Sequence, residues 1–241
     1  ERRRVIDAHL EAGIAPGKLL PGTGACAMDD VVALTRHAGE LGAAAVLLLP
    51  PFFYKGVTDD GLFAFVATVI ERCGPKVPRV MLYHIPPMAA VGWSRELIGR
   101  LLDAFPGIVV GMKDSSGDAE HTRKTIEAFP EFAVFPGAEV YLLAALRQGA
   151  RGCISATANV NARAIVRLIS ERESPTAEQL QSQLNVVRSA VQSKGLVPAA
   201  KAILAARYRD ETWANVRPPL VPLSHEARLS LVADASLKPL V

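Results

Sequence analysis

The chain has little of what marks several large classes of protein. Only three cysteines occur in 241 residues, Cys26, Cys73 and Cys153, and no two form a Cys-x-x-Cys pair. That spacing speaks against a disulfide framework or a zinc site, and it predicts a reducing, cytoplasmic setting. The longest apolar run, Ala43 to Phe53, is interrupted by Pro50-Pro51 and is too short to span a bilayer. No signal-peptide pattern is expected, and no membrane partner. Twenty-seven Lys and Arg stand against 24 Asp and Glu, a net charge of +3, with no basic run long enough to suggest nucleic acid. The densest patch, Glu1-Arg2-Arg3-Arg4, fits the exposed face at the start of a helix. Neither the Gly-x-Gly-x-x-Gly dinucleotide fingerprint nor a Gly-x-x-x-x-Gly-Lys-Ser/Thr phosphate loop is found.

What is present is a rich supply of core. Half of the residues are hydrophobic, enough for one or two domains. Short apolar runs alternate with longer helical patterns. Leu19–Pro21 leads to a helix over 29–41, Val46–Leu49 to 59–72, Arg79–Tyr83 to 94–104, Ile108–Met112 to 118–129, Phe132–Phe135 to 139–148, and Gly152–Ser155 to 161–170. Six strand–helix units imply a parallel sheet covered by helices, and the nearly continuous apolar strands fit burial on both faces. After Pro175 three helical patterns follow, over 177–192, 197–208 and 224–237. Six units suit either a doubly wound sheet or a (β/α)8 TIM barrel lacking its first two strands. The missing dinucleotide fingerprint favours the barrel, which gathers the ends of its strands at one rim. The expected organisation is a partial barrel over 1–174 and a C-terminal helical extension over 175–241. The chain starts without Met inside a helical pattern, and the expectation is that about 50–70 preceding residues are missing.

Lys113 ends the apolar run that begins at Ile108, and a Ser/Gly/Asp turn follows it. A lysine at a strand tip either snorkels to water, pairs with a carboxylate, or opens onto a site. In a site, desolvation favours the neutral amine, which attacks a carbonyl and forms a Schiff base. The tuning needed runs from about 10.4 towards 7–8. Tyr83 ends the preceding strand, about 4.8 Å away if the strands are neighbours. A phenol there can shuttle protons to and from the substrate oxygen and the carbinolamine; the bland alternative is a core tyrosine with its hydroxyl at the wet end. The turns Gly22-Thr23-Gly24, Pro136-Gly137-Ala138-Glu139 and Ser155-Ala156-Thr157-Ala158-Asn159 offer N–H groups and hydroxyls to a carboxylate, though they also serve as ordinary connections. A metal-dependent aldolase or hydrolase would use His84, Asp114 and Glu139. However, His84 and Asp114 directly follow Tyr83 and Lys113 and so point the other way on a strand. The remaining histidines, His9, His37, His121 and His225, lack metal-ligand spacing, so no metal is expected.

Several motifs recur in order and nearly end to end: Pro21-Gly22-Thr23-Gly24, Leu48-Leu49-Pro50-Pro51-Phe52-Phe53-Tyr54, Leu82-Tyr83-His84-Ile85-Pro86, Gly111-Met112-Lys113-Asp114-Ser115-Ser116-Gly117-Asp118, Gly149 through Asn159, and Val216-Arg217-Pro218-Pro219-Leu220. Through them the chain resembles the dihydrodipicolinate synthase / N-acetylneuraminate lyase superfamily. The resemblance implies a (β/α)8 barrel with a C-terminal helical extension, a homo-oligomer (dimer or tetramer), and class I aldolase chemistry on pyruvate or another small 2-oxo acid. It implies no metal or organic cofactor. Lys113 matches the Schiff-base lysine and Tyr83 the proton-relay tyrosine. The backbone at Ile154 and the Gly137/Glu139 turn match positions lining the substrate pocket, beside Ser155.

Three departures accompany the match. The family's Gly-Thr-Thr/Ser-Gly-Glu loop, which grips the 2-oxo acid carboxylate, falls before Glu1. Met88 stands where the synthases carry an arginine for the aldehyde partner's carboxylate, and a thioether makes no bidentate contact. The tyrosine inserted from a neighbouring subunit falls at Phe53, with Tyr54 adjacent. The expected activity is a Schiff-base lyase or aldolase. The alternatives are dihydrodipicolinate synthesis itself and a paralogue that binds 2-oxo acids without turnover.

Overall fold

The computed structural model describes residues 1–240. The chain folds as two compact units, Glu1–Phe135 and Pro136 onward. The expected 174/175 boundary lies within the second of them.

The first unit begins with α1 (Arg2–Glu11) and α2 (Met28–Glu40), followed by β1 (Val46–Leu48) and α3 (Asp59–Cys73). Next come β2 (Val80–His84), the four-residue α4 (Pro86–Ala89), α5 (Arg95–Ala104), β3 (Val109–Asp114) and α6 (Ala119–Ala128). β4 (Ala133–Pro136) runs to the boundary. The sheet order is β1-β2-β3-β4, and the pairs β1/β2 and β2/β3 are parallel. Val46, Leu48, Val80, Leu82 and Met112 on the strands are fully buried, as are Leu97, Ile98 and Leu101 on α5. Leu47 and Met81, on the opposite face, are buried as well, and burial on both faces explains why these strands read as continuous apolar runs.

Helix starts follow from capping side chains. Thr58, Ser94 and Asp118 each accept a backbone N–H from the first turn of α3, α5 and α6. Such a cap satisfies donors that have no partner within the helix. Between β3 and β4 the backbones come close at Gly111: a Cβ there would lie 2.4 Å from the carbonyl oxygen of Ala133. Only glycine fits.

The second unit contains α7 (Leu142–Arg147), α8 (Ala158–Ser170), α9 (Ala177–Ser193), α10 (Leu196–Tyr208) and α11 (His225–Ala233). Leu142, Leu146, Ile165, Leu168, Leu180 and Leu184 form one apolar cluster, and Val160, Val191, Ala199, Ile203, Leu231 and Leu237 are central to another.

Two of the six expected strands are not regular strands. Leu19–Pro21 ends in a single bridge, Gly22 to Leu47, in which Pro21 accepts from Leu47 but has no N–H to extend a ladder. At Gly152–Ser155 the backbone makes one strand-like contact, Ile154 N–H to the Pro136 carbonyl at 3.0 Å. Gly152 there has φ +152°, which breaks the extended conformation. The helix expected over 139–148 opens as a 3₁₀ turn at Glu139–Tyr141 before α7. The helix expected over 161–170 starts three residues early and breaks at Asn161 (φ −128°, ψ 27°). The helix expected over 224–237 ends at Ala233, where Asp234 turns the chain and accepts from the Ser236 N–H.

Candidate active site

The ladder between β2 and β3 sets Tyr83 opposite Lys113 and His84 opposite Asp114. Consecutive strand residues face opposite sides, so the two rungs send one pair to each face. Lys113 and Tyr83 are partly exposed, whereas His84 and Asp114 are buried. The Lys113 Nζ donates to the Tyr83 hydroxyl at 2.9 Å and stands 4.2 Å from the ring centroid. The amine therefore meets the phenol along its edge and face together.

On the other face, the turn after Lys113 builds a pocket of donors around Asp114. The Ser116 N–H donates to Asp114 Oδ1 at 3.0 Å, and the Asp118 N–H donates to Ser116 Oγ at 3.1 Å. Gly117, at φ +78°, lets the chain turn between them. Asp118 then caps α6 by accepting from the N–H groups of Glu120 and His121. That cap aims the first turn of α6 at the strand tip: His121 Nδ1 reaches Asp114 Oδ2 at 2.9 Å, and Thr122 Oγ1 donates to the same oxygen at 2.7 Å. Burial opposes the charge on Asp114, but the hydrogen bonds from His121, Ser116 and Thr122 outweigh it and hold the carboxyl below its ordinary pKa.

His84 is held just as tightly. Its Nδ1 accepts the Trp93 backbone N–H at 3.0 Å, which leaves the ring proton on Nε2. Burial depresses its pKa to about 4, against the opposing pull of Asp114. The ring stacks on His121, with centroids 4.3 Å apart and planes 6° from parallel. Gly92 makes room, since a Cβ there would fall 2.7 Å from His84 Cε1. The indole of Trp93 donates to the Tyr83 carbonyl at 3.2 Å.

His84, Asp114 and His121 each bring one ligand-type atom within 4.8 Å of the others. Their arrangement suits hydrogen bonding better than metal ligation. Lone pairs of imidazoles lie in the ring plane, so two stacked rings aim theirs in parallel rather than at one point. Both Asp114 oxygens and His84 Nδ1 are also engaged by protein donors. Glu139, the third residue of the rival metal-dependent reading, belongs to the second unit.

There Glu139 is fully buried. Its carboxylate accepts from Ser155 Oγ at 2.5 Å and from the Thr157 hydroxyl, and Arg188 from α9 lies 3.5 Å away. Arg188 also donates to Ser155 Oγ at 3.0 Å. Gln181 Nε2 donates to the Glu139 carbonyl at 2.7 Å and its Oε1 accepts from the Leu143 N–H. Gly137 lies between Pro136, which accepts from Ile154, and this network. In the first unit Phe53 and Tyr54 are both 72% exposed and meet edge to face at 5.3 Å.

Sequence reasoning missed Trp93, Thr122, Arg188 and Gln181, and it placed His121 in a helix without a partner. The one available signal was Asp118, a helix cap three residues before His121 and four after Asp114.

A match to the dihydrodipicolinate synthetase family extends over residues 1–238. A DapA-like lyase of unassigned activity from Chloroflexus aurantiacus is 35% identical over 89% of this chain and 72% of its own length. A 4-hydroxy-tetrahydrodipicolinate synthase from Thermus thermophilus is 38% identical over 66% of this chain and 52% of its own. The match thus spans about half of that synthase. The crystal structure of dihydrodipicolinate synthase from Agrobacterium tumefaciens superimposes with a TM-score of 0.89 at 31% identity, over all of this chain and 81% of that one. This likeness puts the fold in the α/β class of TIM barrels. No helix among the described residues is long and apolar enough to cross a membrane. With its family pattern matched almost from end to end, the chain belongs to the dihydrodipicolinate synthetase family.

Proposed function

We propose that this chain is a class I, Schiff-base-forming lyase of pyruvate or a related 2-oxo acid, with Lys113 as nucleophile and Tyr83 as proton relay. The observation that carries the proposal is the 2.9 Å contact between the Lys113 amine and the Tyr83 hydroxyl. A nucleophile within hydrogen-bond reach of an acid–base group is the geometry that imine chemistry needs.

In the proposed cycle the neutral Lys113 amine adds to the C2 carbonyl, and Tyr83 passes a proton to the new carbinolamine oxygen. Loss of water leaves an iminium. As the C3–C4 bond breaks, its electron pair moves into the iminium and forms an enamine, while the C4 hydroxyl gives up its proton and departs as an aldehyde. Protonation at C3 and addition of water then release pyruvate and restore the free amine. Aldol addition is the same sequence reversed. On the family resemblance alone, Gly137, Glu139, Ile154 and Ser155 are proposed as substrate-lining positions; within their own unit Glu139 and Ser155 share a hydrogen bond.

Cleavage of a hydroxylated 2-oxo acid is favoured over dihydrodipicolinate synthesis because Met88, 81% exposed on α4, carries no charge for a second carboxylate. A homo-oligomer, dimer or tetramer, is proposed through the exposed Phe53–Tyr54 pair, which Lys55 links to α4 by donating to the Ala89 carbonyl at 3.0 Å. A cytoplasmic setting accords with three cysteines that remain thiols.

Turnover of a panel of hydroxylated 2-oxo acids, with pyruvate-dependent inactivation by borohydride, tests the proposal. Aldehyde and pyruvate released in equal amounts support it. Labelling without turnover identifies a binding paralogue, and activity lost to chelators but not to borohydride contradicts it.

A further inference from the structure

The rung of the β2–β3 ladder beyond Tyr83 and Lys113 carries two polar residues where a core would ordinarily carry aliphatic ones. His84 is 6% exposed and Asp114 is not exposed at all. Burying such groups costs free energy unless every one finds partners, and apolar replacements of a buried charged pair are often neutral or stabilising. Stability alone is a weak reason for them. Their contacts instead trace a closed circuit around the strand tips. The Lys113 amine meets the Tyr83 phenol, and the Tyr83 carbonyl accepts the Trp93 indole N–H. The Trp93 backbone N–H is held by His84, and His84 stacks on His121. His121 binds Asp114, which is bonded through the chain to Lys113.

We propose that His84, His121 and Asp114 form a positioning cluster that fixes the tips of β2 and β3 against each other, and so holds the Lys113 amine at the Tyr83 hydroxyl. None of the three lies on the face that Lys113 uses, so they are positioning residues. Their effect reaches the chemistry through the strand register: a slip of one tip along the other separates amine from phenol. The hydrogen bonds from His121 and Thr122 to Asp114 link α6 to the β3 tip, and the ring stack links α6 to the β2 tip. This proposal rests on the Schiff-base function of Lys113.

Two substitutions at one position separate the links. His121→Phe keeps a ring to stack on His84 but removes the donor to Asp114. His121→Asn keeps a donor at the place of Nδ1 and removes the stack. The readouts are the maximal rate of pyruvate-dependent borohydride trapping, the half-saturating pyruvate concentration, and the thermal midpoint. The expected result for His121→Phe is a maximal rate lowered about tenfold to a hundredfold, the scale on which misplacement of a reacting group acts. Half-saturation should be unchanged, and His121→Asn should recover most of the loss. A merely structural role would lower the thermal midpoint of both variants and leave the maximal rate of folded protein alone. Should His121→Phe not fold, Thr122→Val removes the neighbouring donor to Asp114 and is read in the same way. Wild-type trapping with an unaffected His121→Phe, or with His121→Asn no better than His121→Phe, overturns the positioning role and leaves the Schiff-base function standing. A wild-type protein that traps no pyruvate overturns both.

Discussion

The indole N–H of Trp93 donates to the carbonyl oxygen of Tyr83 at 3.2 Å, from a side chain that is only 1% exposed. One residue outside the sheet thereby holds the backbone of the strand tip carrying the proposed proton relay. Trp93→Phe keeps most of the apolar volume and leaves that carbonyl without this donor. The expected cost is about 1–3 kcal/mol, the usual penalty for an unmet buried polar group. Urea unfolding at neutral pH measures it, and an unchanged midpoint would show that the bond carries no weight.

Gly111 stands two residues before Lys113, against the Ala133 carbonyl. Alanine there cannot be absorbed by rotating a side chain, since its Cβ would meet backbone at 2.4 Å. Gly111→Ala should destabilise the fold by about 1–3 kcal/mol, in the range of overpacked cores. It should also slow pyruvate trapping by displacing the β3 tip. Thermal unfolding and trapping rate together test this, and a variant that matches wild type in both would contradict the packing described for β3 and β4.

His84 makes stability depend on acid. In the unfolded chain its imidazole titrates near 6.5 and in the folded chain near 4, so between these values the unfolded state binds the extra proton. The contribution is fully present above 6.5 and is lost as pH falls towards 4. From pH 7 to pH 5 the loss is roughly 2 kcal/mol. Asp114 adds to the same trend at lower pH, because its folded pKa lies below its ordinary value and its contribution disappears as the carboxyl protonates. His84→Phe should flatten the stability profile between pH 7 and pH 5. An equally steep profile in the variant would mean that another group is responsible.

In the second unit, Glu139 has no exposure and depends on Arg188, Ser155 and Thr157. Arg188→Leu leaves a buried carboxylate without its cation, for an expected loss of about 3–5 kcal/mol. Adding Glu139→Gln to that variant should restore part of it. Chemical denaturation of the single and double variants measures the coupling, and strictly additive losses would argue that the two side chains act independently.

Much of this architecture was legible in the sequence because its signals are local. Thr58, Ser94 and Asp118 announce helix starts through their own hydroxyl or carboxylate, and the apolar runs at 46–49, 79–83, 108–112 and 132–135 mark β1 to β4 to within a residue or two. The meeting of Lys113 and Tyr83 was legible because each ends one of two consecutive apolar runs, which places them at neighbouring strand tips. The two strand failures have separate local causes. Pro21 lacks an N–H, and Gly152 adopts a positive φ, so an apolar run alone could not secure a ladder. The partners of His121 and the role of Trp93 escaped notice for a different reason. The meeting of these two residues with Asp114 and His84 depends on how a capped helix and a loop pack behind the strand tips, and residue spacing does not encode that.

The most direct test of the Schiff-base account is peptide mass mapping after pyruvate and borohydride treatment of the whole protein. One reduced pyruvyl group is expected, on Lys113, absent from Lys113→Ala and formed more slowly in Tyr83→Phe. A label on another lysine, or equal labelling of Lys113→Ala, would contradict it.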